Sequence, residues 1–116
     1  MRPEKGVPTA SQGKYLQAIC RLSRGGQRVV FQRDVVRWLN CSKPSVSRAA
    51  ALLRQRGWLE RDRRDLALTP EGLEWALRLC RTRRQLETLG VPETAAAPAA
   101  AVLLAAEGAE RQEQDG

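Results

Sequence analysis

Apolar residues recur at spacings of three and four over Tyr15, Leu16, Ile19, Cys20 and Leu22, which predicts a first helix over about 12–24 with Ser11 as its N-cap. Gly25 and Gly26 end it, and Val29 to Phe31 read as a short strand. A second helix begins near Gln32 or Arg33, with Val35, Val36, Trp38 and Leu39 as its buried face. After the short turn at Asn40 and Cys41, Ser42-Lys43-Pro44 has the order of an N-cap followed by an early-turn proline, whose missing amide hydrogen is no loss there. The third helix spans about 43–56. Its apolar side is Val46, Ala49, Ala50 and Leu53, while Ser45, Ser47, Arg48 and Arg54 fall away from that stripe.

Beyond Gly57, partial alternation in Trp58–Arg61 and in Asp65–Leu68, on either side of the polar tip Asp62-Arg63-Arg64, predicts a two-stranded hairpin. Thr69-Pro70-Glu71 repeats the cap-and-proline device and opens a fourth helix to about Leu89, with Leu73, Ala76, Leu77, Cys80 and Leu86 on its apolar side. Gly90-Val91-Pro92 breaks it. Residues 94–109 hold nine alanines with Val102, Leu103 and Leu104, helix-prone although Pro98 interrupts them. The chain therefore divides into a flexible arm (1–10), a helix-turn-helix unit with its hairpin (11–69), a helical region (70–107) and a disordered polar tail (108–116). The expected fold class is mainly α: a winged helix-turn-helix with a two-stranded wing, followed by a short helical dimerisation region.

With 116 residues the chain has room for one small domain and not for two lobes around a cleft. No stretch reaches the ~20 apolar residues that cross a bilayer, and no secretory signal opens the chain, so the expectation is a cytoplasmic protein without membrane contact. Three cysteines in separate segments, with no CxxC, favour reduced, buried thiols over disulfides or a zinc knuckle. There is no histidine, no glycine-rich phosphate loop and no GxSxG, which leaves no basis for an enzyme.

Charge sharpens the picture. Residues 1–89 carry 19 cations and 8 anions (net +11), residues 90–116 one cation and 5 anions (net −4), and 17 of the 20 cations are Arg. GC-rich coding also enriches Arg, so placement decides what the charge means. A recognition helix needs small hydrogen-bonding residues where its N-terminus approaches phosphate and long donors where it meets base edges. Ser42, Lys43, Pro44, Ser45, Ser47 and Arg48 meet that need, and Arg63 and Arg64 place two cations at the hairpin tip. Each feature alone has a plain explanation, a helix cap or a solvated turn. Together they occur in the one order that puts them on the same side, against double-stranded DNA.

The segments Thr9-Ala10-Ser11 through Tyr15-Leu16-Gln17-Ala18-Ile19, Cys41-Ser42-Lys43-Pro44-Ser45-Val46-Ser47-Arg48-Ala49 and Leu66-Ala67-Leu68-Thr69-Pro70-Glu71-Gly72 resemble the diphtheria toxin repressor and manganese transport regulator family, over roughly residues 9–110. The resemblance implies a homodimeric, metal-activated repressor of metal-uptake genes. It places Ser42, Pro44, Ser45 and Arg48 on operator-contacting positions and the helices after the hairpin in the dimerisation region. It also implies bound manganese or iron, and here the sequence departs from it. The family's metal-ligand positions fall on Lys14 and Gln17, on Arg83, and on Ala101, Leu104 and Ala105, none of which keeps its ligand. Cations and alkyl groups do not hold a divalent first-row ion, so no cofactor is expected and the last helix is held by Ala and Leu packing instead.

Leu77, Leu86, Leu89, Leu103 and Leu104 exceed what so small a domain needs for its own core, which predicts a homodimer. Two other readings stay open. The winged helix could be a protein-interaction module whose basic face binds an acidic partner, or Cys41 could serve as a redox sensor if it were exposed.

Overall fold

All the regular structure among the residues that the computed structural model describes, 6–115 with side chains as far as Gly108, is helical. The helices are α1 (Ala10–Leu22), α2 (Gln32–Leu39), α3 (Lys43–Gln55), α4 (Pro70–Thr88) and α5 (Glu93–Asp115). α1 packs on each of the other four. α2 packs on α3 and α4 on α5, but no helix of one pair packs on a helix of the other. An amphipathic helix on a surface buries one stripe; α1 buries every residue from Tyr15 to Cys20, because it is the shared wall of both pairs.

The helix starts follow from short polar side chains. Thr9 caps α1: its Oγ1 accepts from the Gln12 amide at 3.1 Å, and the Thr9 amide donates to Gln12 Oε1 at 3.0 Å. α1 thus begins ahead of the expected Ser11 cap. α3 starts at the expected Ser42, and α4 at Thr69, whose Oγ1 accepts from Gly72 N at 3.0 Å. α2 ends where Asn40 turns left-handed at φ 52°.

The expected two-stranded wing is absent. Among the described residues there is no strand, and the segment 58–69 makes one isolated antiparallel bridge, Leu59 to Leu68. Two backbone bonds flank it, Glu60 N to Ala67 O at 2.8 Å and Thr69 N to Trp58 O at 3.1 Å. The pairing stops there because the next residues, Arg61 to Asp65, are all charged and contain no turn glycine. The carbonyls of Glu60, Arg63 and Asp65 accept instead from the Arg54 guanidinium of α3, at 3.2, 3.3 and 3.5 Å. The segment is a side-chain-clasped loop. Val29–Phe31 likewise forms no strand; Val30 O accepts from Leu66 N at 2.7 Å, and Phe31 N donates to Asp34 Oδ2 at 2.8 Å at the start of α2.

Trp58 is fully buried and meets Trp75 edge-on at 6.4 Å, with the Arg56 guanidinium over its ring at 4.3 Å. Trp38, expected inside, is 49% exposed under Arg21, because only α1 and α3 cover α2. α5 continues through Pro98 and buries Ala96, Ala100, Ala101 and Leu104. A Cβ on Gly13 would sit 3.1 Å from that of Ala101, so small residues let α1 and α5 approach closely. Of the expected arm, residues 1–5 lie outside the described residues, while Pro8 is buried and Val7 O accepts from Arg56 Nη2 at 3.4 Å. The backbone of the expected tail is helical to Asp115, and its side chains from residue 109 lie outside the described set.

Gly72 holds the junction between the clasped loop and α4. Any Cβ there would overlap the Trp58 carbonyl oxygen, which is fixed by Thr69 N. Gly72→Ala is expected to lower stability by about 2 kcal/mol or more in urea unfolding, the overlap outweighing the ~1 kcal/mol that alanine gains in a helix.

Candidate nucleic-acid interface

α3 advances about 100° per residue, so Lys43, Ser47 and Arg54 project along one line and Pro44, Arg48 and Gln55 along the next. Val46, Ala50 and Leu53, opposite the line of Pro44, Arg48 and Gln55, are buried. Ser42, Lys43, Pro44, Ser47 and Arg48 are exposed and Ser45 is half-buried. Because Arg54 shares the line of Lys43 and Ser47, its grip on the carbonyls of residues 60–65 brings the charged loop to that side of α3. The helix start and the loop therefore lie along one side of α3, about 16 Å apart along its axis.

The polar groups divide into those that build the surface and those left to use it. Ser42 Oγ accepts from Ser45 N at 3.2 Å and donates to Ser45 Oγ at 2.8 Å, so the Ser42 hydroxyl is engaged as the cap. Ser45 keeps its own hydroxyl hydrogen to donate. Arg63, one of the two expected tip cations, forms a bidentate pair with Asp65 at 2.8 and 2.9 Å, which neutralises it locally. Arg64 and Arg61 are exposed and make no ion pair among the described residues. The sequence reading passed over Arg61, and the Arg-x-Asp spacing of Arg63 and Asp65 was the signal that one tip cation would be held.

α1 adds groups that the periodicity of α3 could not reveal. A cavity of about 250 Å³ between the two helices is lined by Ser11, Gln12, Tyr15, Ser45 and Arg48. Lys14 is exposed nearby, its Nζ 5.6 Å from the centre of the Tyr15 ring. Burial, and then the neighbouring Cys41, push the Tyr15 phenol above its ordinary value, with Arg48 pulling the other way. It stays a neutral hydroxyl. Cys41 is half-buried beside it and not in the core.

The positions at which the resembled family holds its metal do not fit an ion. Gln17 is 2% exposed and donates from Nε2 to Ala97 O at 3.0 Å, leaving one buried amide oxygen without a partner. Arg83 is buried and paired with Glu87 at 2.7 Å, Ala101 and Leu104 are buried, Ala105 is half-buried, and Lys14 is exposed. One amide oxygen among alkyl groups and guanidinium is not a donor set for a first-row divalent ion. Of the leucines expected at a dimer face, Leu77, Leu89 and Leu103 are exposed and Leu86 is half-buried. Leu104 belongs to the chain's own core, and exposed Val102 was overlooked.

No protein-family model matches this chain, and no curated protein is similar enough to it to stand as a relative.

Arg63 holds the Asp65 carboxyl below the ordinary carboxylate range. Since the folded value is the lower one, the pair's contribution is complete above the unfolded value and is lost as pH falls through the folded one. In an NMR titration Asp65 should protonate below its ordinary pH in the native chain and return towards it in Arg63→Gln; equal midpoints would contradict the pairing.

Proposed function

We propose that this chain is a DNA-binding transcriptional regulator that acts without bound metal, as a repressor in the cytoplasm. The observation that carries the reading is the exposure of Lys43, Ser47 and Arg48 on α3, with the loop that Arg54 clasps lying along the same side at the other end of the helix, within a segment of net +11. α3 supplies Ser45, Ser47 and Arg48 to base edges and the nearest phosphates. Lys43, Arg61 and Arg64 neutralise the backbone, and Arg63 contributes less because Asp65 holds it. Metal independence rests on the Gln17, Arg83, Ala101 and Leu104 set that stands where the resembled family has ligands.

Selection of bound duplexes from a random DNA pool, with and without manganese, tests the reading. One enriched sequence in both arms supports it; no enrichment, or enrichment only with metal, overturns it. Arg48→Ala should relax preference at one base position and cost about 1–3 kcal/mol on the selected site. Arg61→Gln with Arg64→Gln should weaken binding to all sequences alike and lower the salt slope by about two, whereas a face for an acidic protein would leave DNA retention unaffected.

The same reading takes the regulator as a homodimer, supported by the 81% exposure of Leu89 together with exposed Leu77, Val102 and Leu103 on α4 and α5 and their junction. Two half-sites double the phosphate contacts that one small module lacks. In sedimentation the native chain should run at twice 12.9 kDa, and Leu89→Arg with Leu103→Arg at the monomer mass. A native monomer at all concentrations would rule the dimer out.

A further inference from the structure

Between the end of α1, the loop that follows it and α2 lies a cavity of about 510 Å³. Leu22, Val29, Val30 and Trp38 supply its apolar lining, and Arg28, Asp34 and Arg37 its charges. Asp34, Arg37 and Trp38 stand three and four residues apart, so one stripe of α2 forms a wall. The opposite wall is anchored by Ser23. Its carbonyl accepts from Gln27 N at 2.7 Å and Arg28 N at 2.8 Å, and its Oγ accepts from Gly26 N at 3.0 Å and donates to Cys20 O at 3.2 Å. Val30 O is held by Leu66 N, and Phe31 N by Asp34 Oδ2. A cavity framed in this way is formed before any ligand arrives, which spares part of the ordering cost of binding.

Its chemistry is two-sided. Val29 is 60% exposed and Trp38 about half, apolar surface that the fold leaves in water. Arg28 and Arg37 are exposed as well and make no ion pair among the described residues. Arg21 stands over the Trp38 ring at 5.1 Å, but its charge is matched by Glu93 at 2.9 Å. Asp34 is the one carboxylate in the lining, and the Phe31 amide already engages it. Two unmatched guanidinium groups against one engaged carboxylate favour an anion over a cation. A hydrated inorganic anion would leave Val29 and Trp38 in water, and a plain hydrocarbon would leave both guanidinium groups unused. A ligand with a flat apolar body and a carboxylate uses all of them.

We propose that this cavity is a binding site for a small aromatic carboxylate, with its carboxylate on Arg28 and Arg37 and its ring against Trp38 and Val29. The planar guanidinium fork matches the two carboxylate oxygens. The volume of about 510 Å³ falls within the ~300–1,000 Å³ of small-molecule sites. The inference is independent of DNA binding.

Calorimetric titration of the full chain with benzoate, alongside NMR of the tryptophan indole N–H signals, tests it. Saturable one-to-one binding is expected, with the indole shift at Trp38, assigned through Trp38→Phe, and not at Trp58 or Trp75. Benzamide, the neutral isostere, and the cation benzylammonium should each bind about tenfold more weakly or worse. Hexanoate, which keeps the carboxylate and lacks the ring, should bind about threefold more weakly. Arg28→Gln with Arg37→Gln should weaken benzoate about tenfold and leave benzamide unchanged, while Arg33→Gln on the same helix changes neither. No binding of benzoate at about 10 mM, benzamide, benzylammonium or hexanoate binding as tightly as benzoate, or an indole shift at Trp58 or Trp75 in place of Trp38 would each overturn the proposal. The comparison of ligands uses the native chain, so it decides the matter even if a variant fails to fold.

Discussion

The burial of α1 on all its sides is the constraint on which the rest of this structure depends. A helix that faces two pairs of partners has no solvent side over Tyr15–Cys20, so even its polar residue there must be satisfied within the protein. Gln17 meets half of that demand by donating from Nε2 to the Ala97 carbonyl of α5, while its Oε1 is left without a partner. The bond also fixes the rotation of α1 against α5, since the close approach at Gly13 and Ala101 leaves little room to turn. With that rotation set, Tyr15 falls beside α3 and Gly13 beside Leu79 of α4.

The second organising element is a single side chain. A hairpin wing keeps its shape through a ladder of backbone bonds, but here the ladder ends after one bridge and Arg54 takes over. Its planar fork of donors can serve three carbonyls at once, which a lysine ammonium with its flexible stem does less well. The outcome for the surface is a loop of mixed charge held at the C-terminal end of the third helix. Arg63 illustrates the cost of reading charge from sequence alone, since its guanidinium is turned to Asp65 two residues on.

Much of the helical framework was legible. Ser42-Lys43-Pro44 and Thr69-Pro70 set the starts of α3 and α4 because capping is a local interaction between residues three apart. The Thr9-x-x-Gln12 box was equally readable, and Ser11 drew attention away from it. The wing was misread because alternation in Trp58–Arg61 and Asp65–Leu68 reports which side chains face the core, and Leu59, Leu66 and Trp58 do face it. It does not report whether the tip can sustain a ladder. Burial of Gln17 and Arg83 depends on helices far apart in the chain, for which spacing carries no signal.

The Arg54 clasp has an evolutionary corollary. Because it holds carbonyl groups, which every residue type carries, the side chains at positions 61, 62 and 64 are released from any duty in maintaining the loop's path. Descendants of this chain could therefore vary the sign and number of charges at those three positions, retuning what the surface attracts while its contour is inherited unchanged.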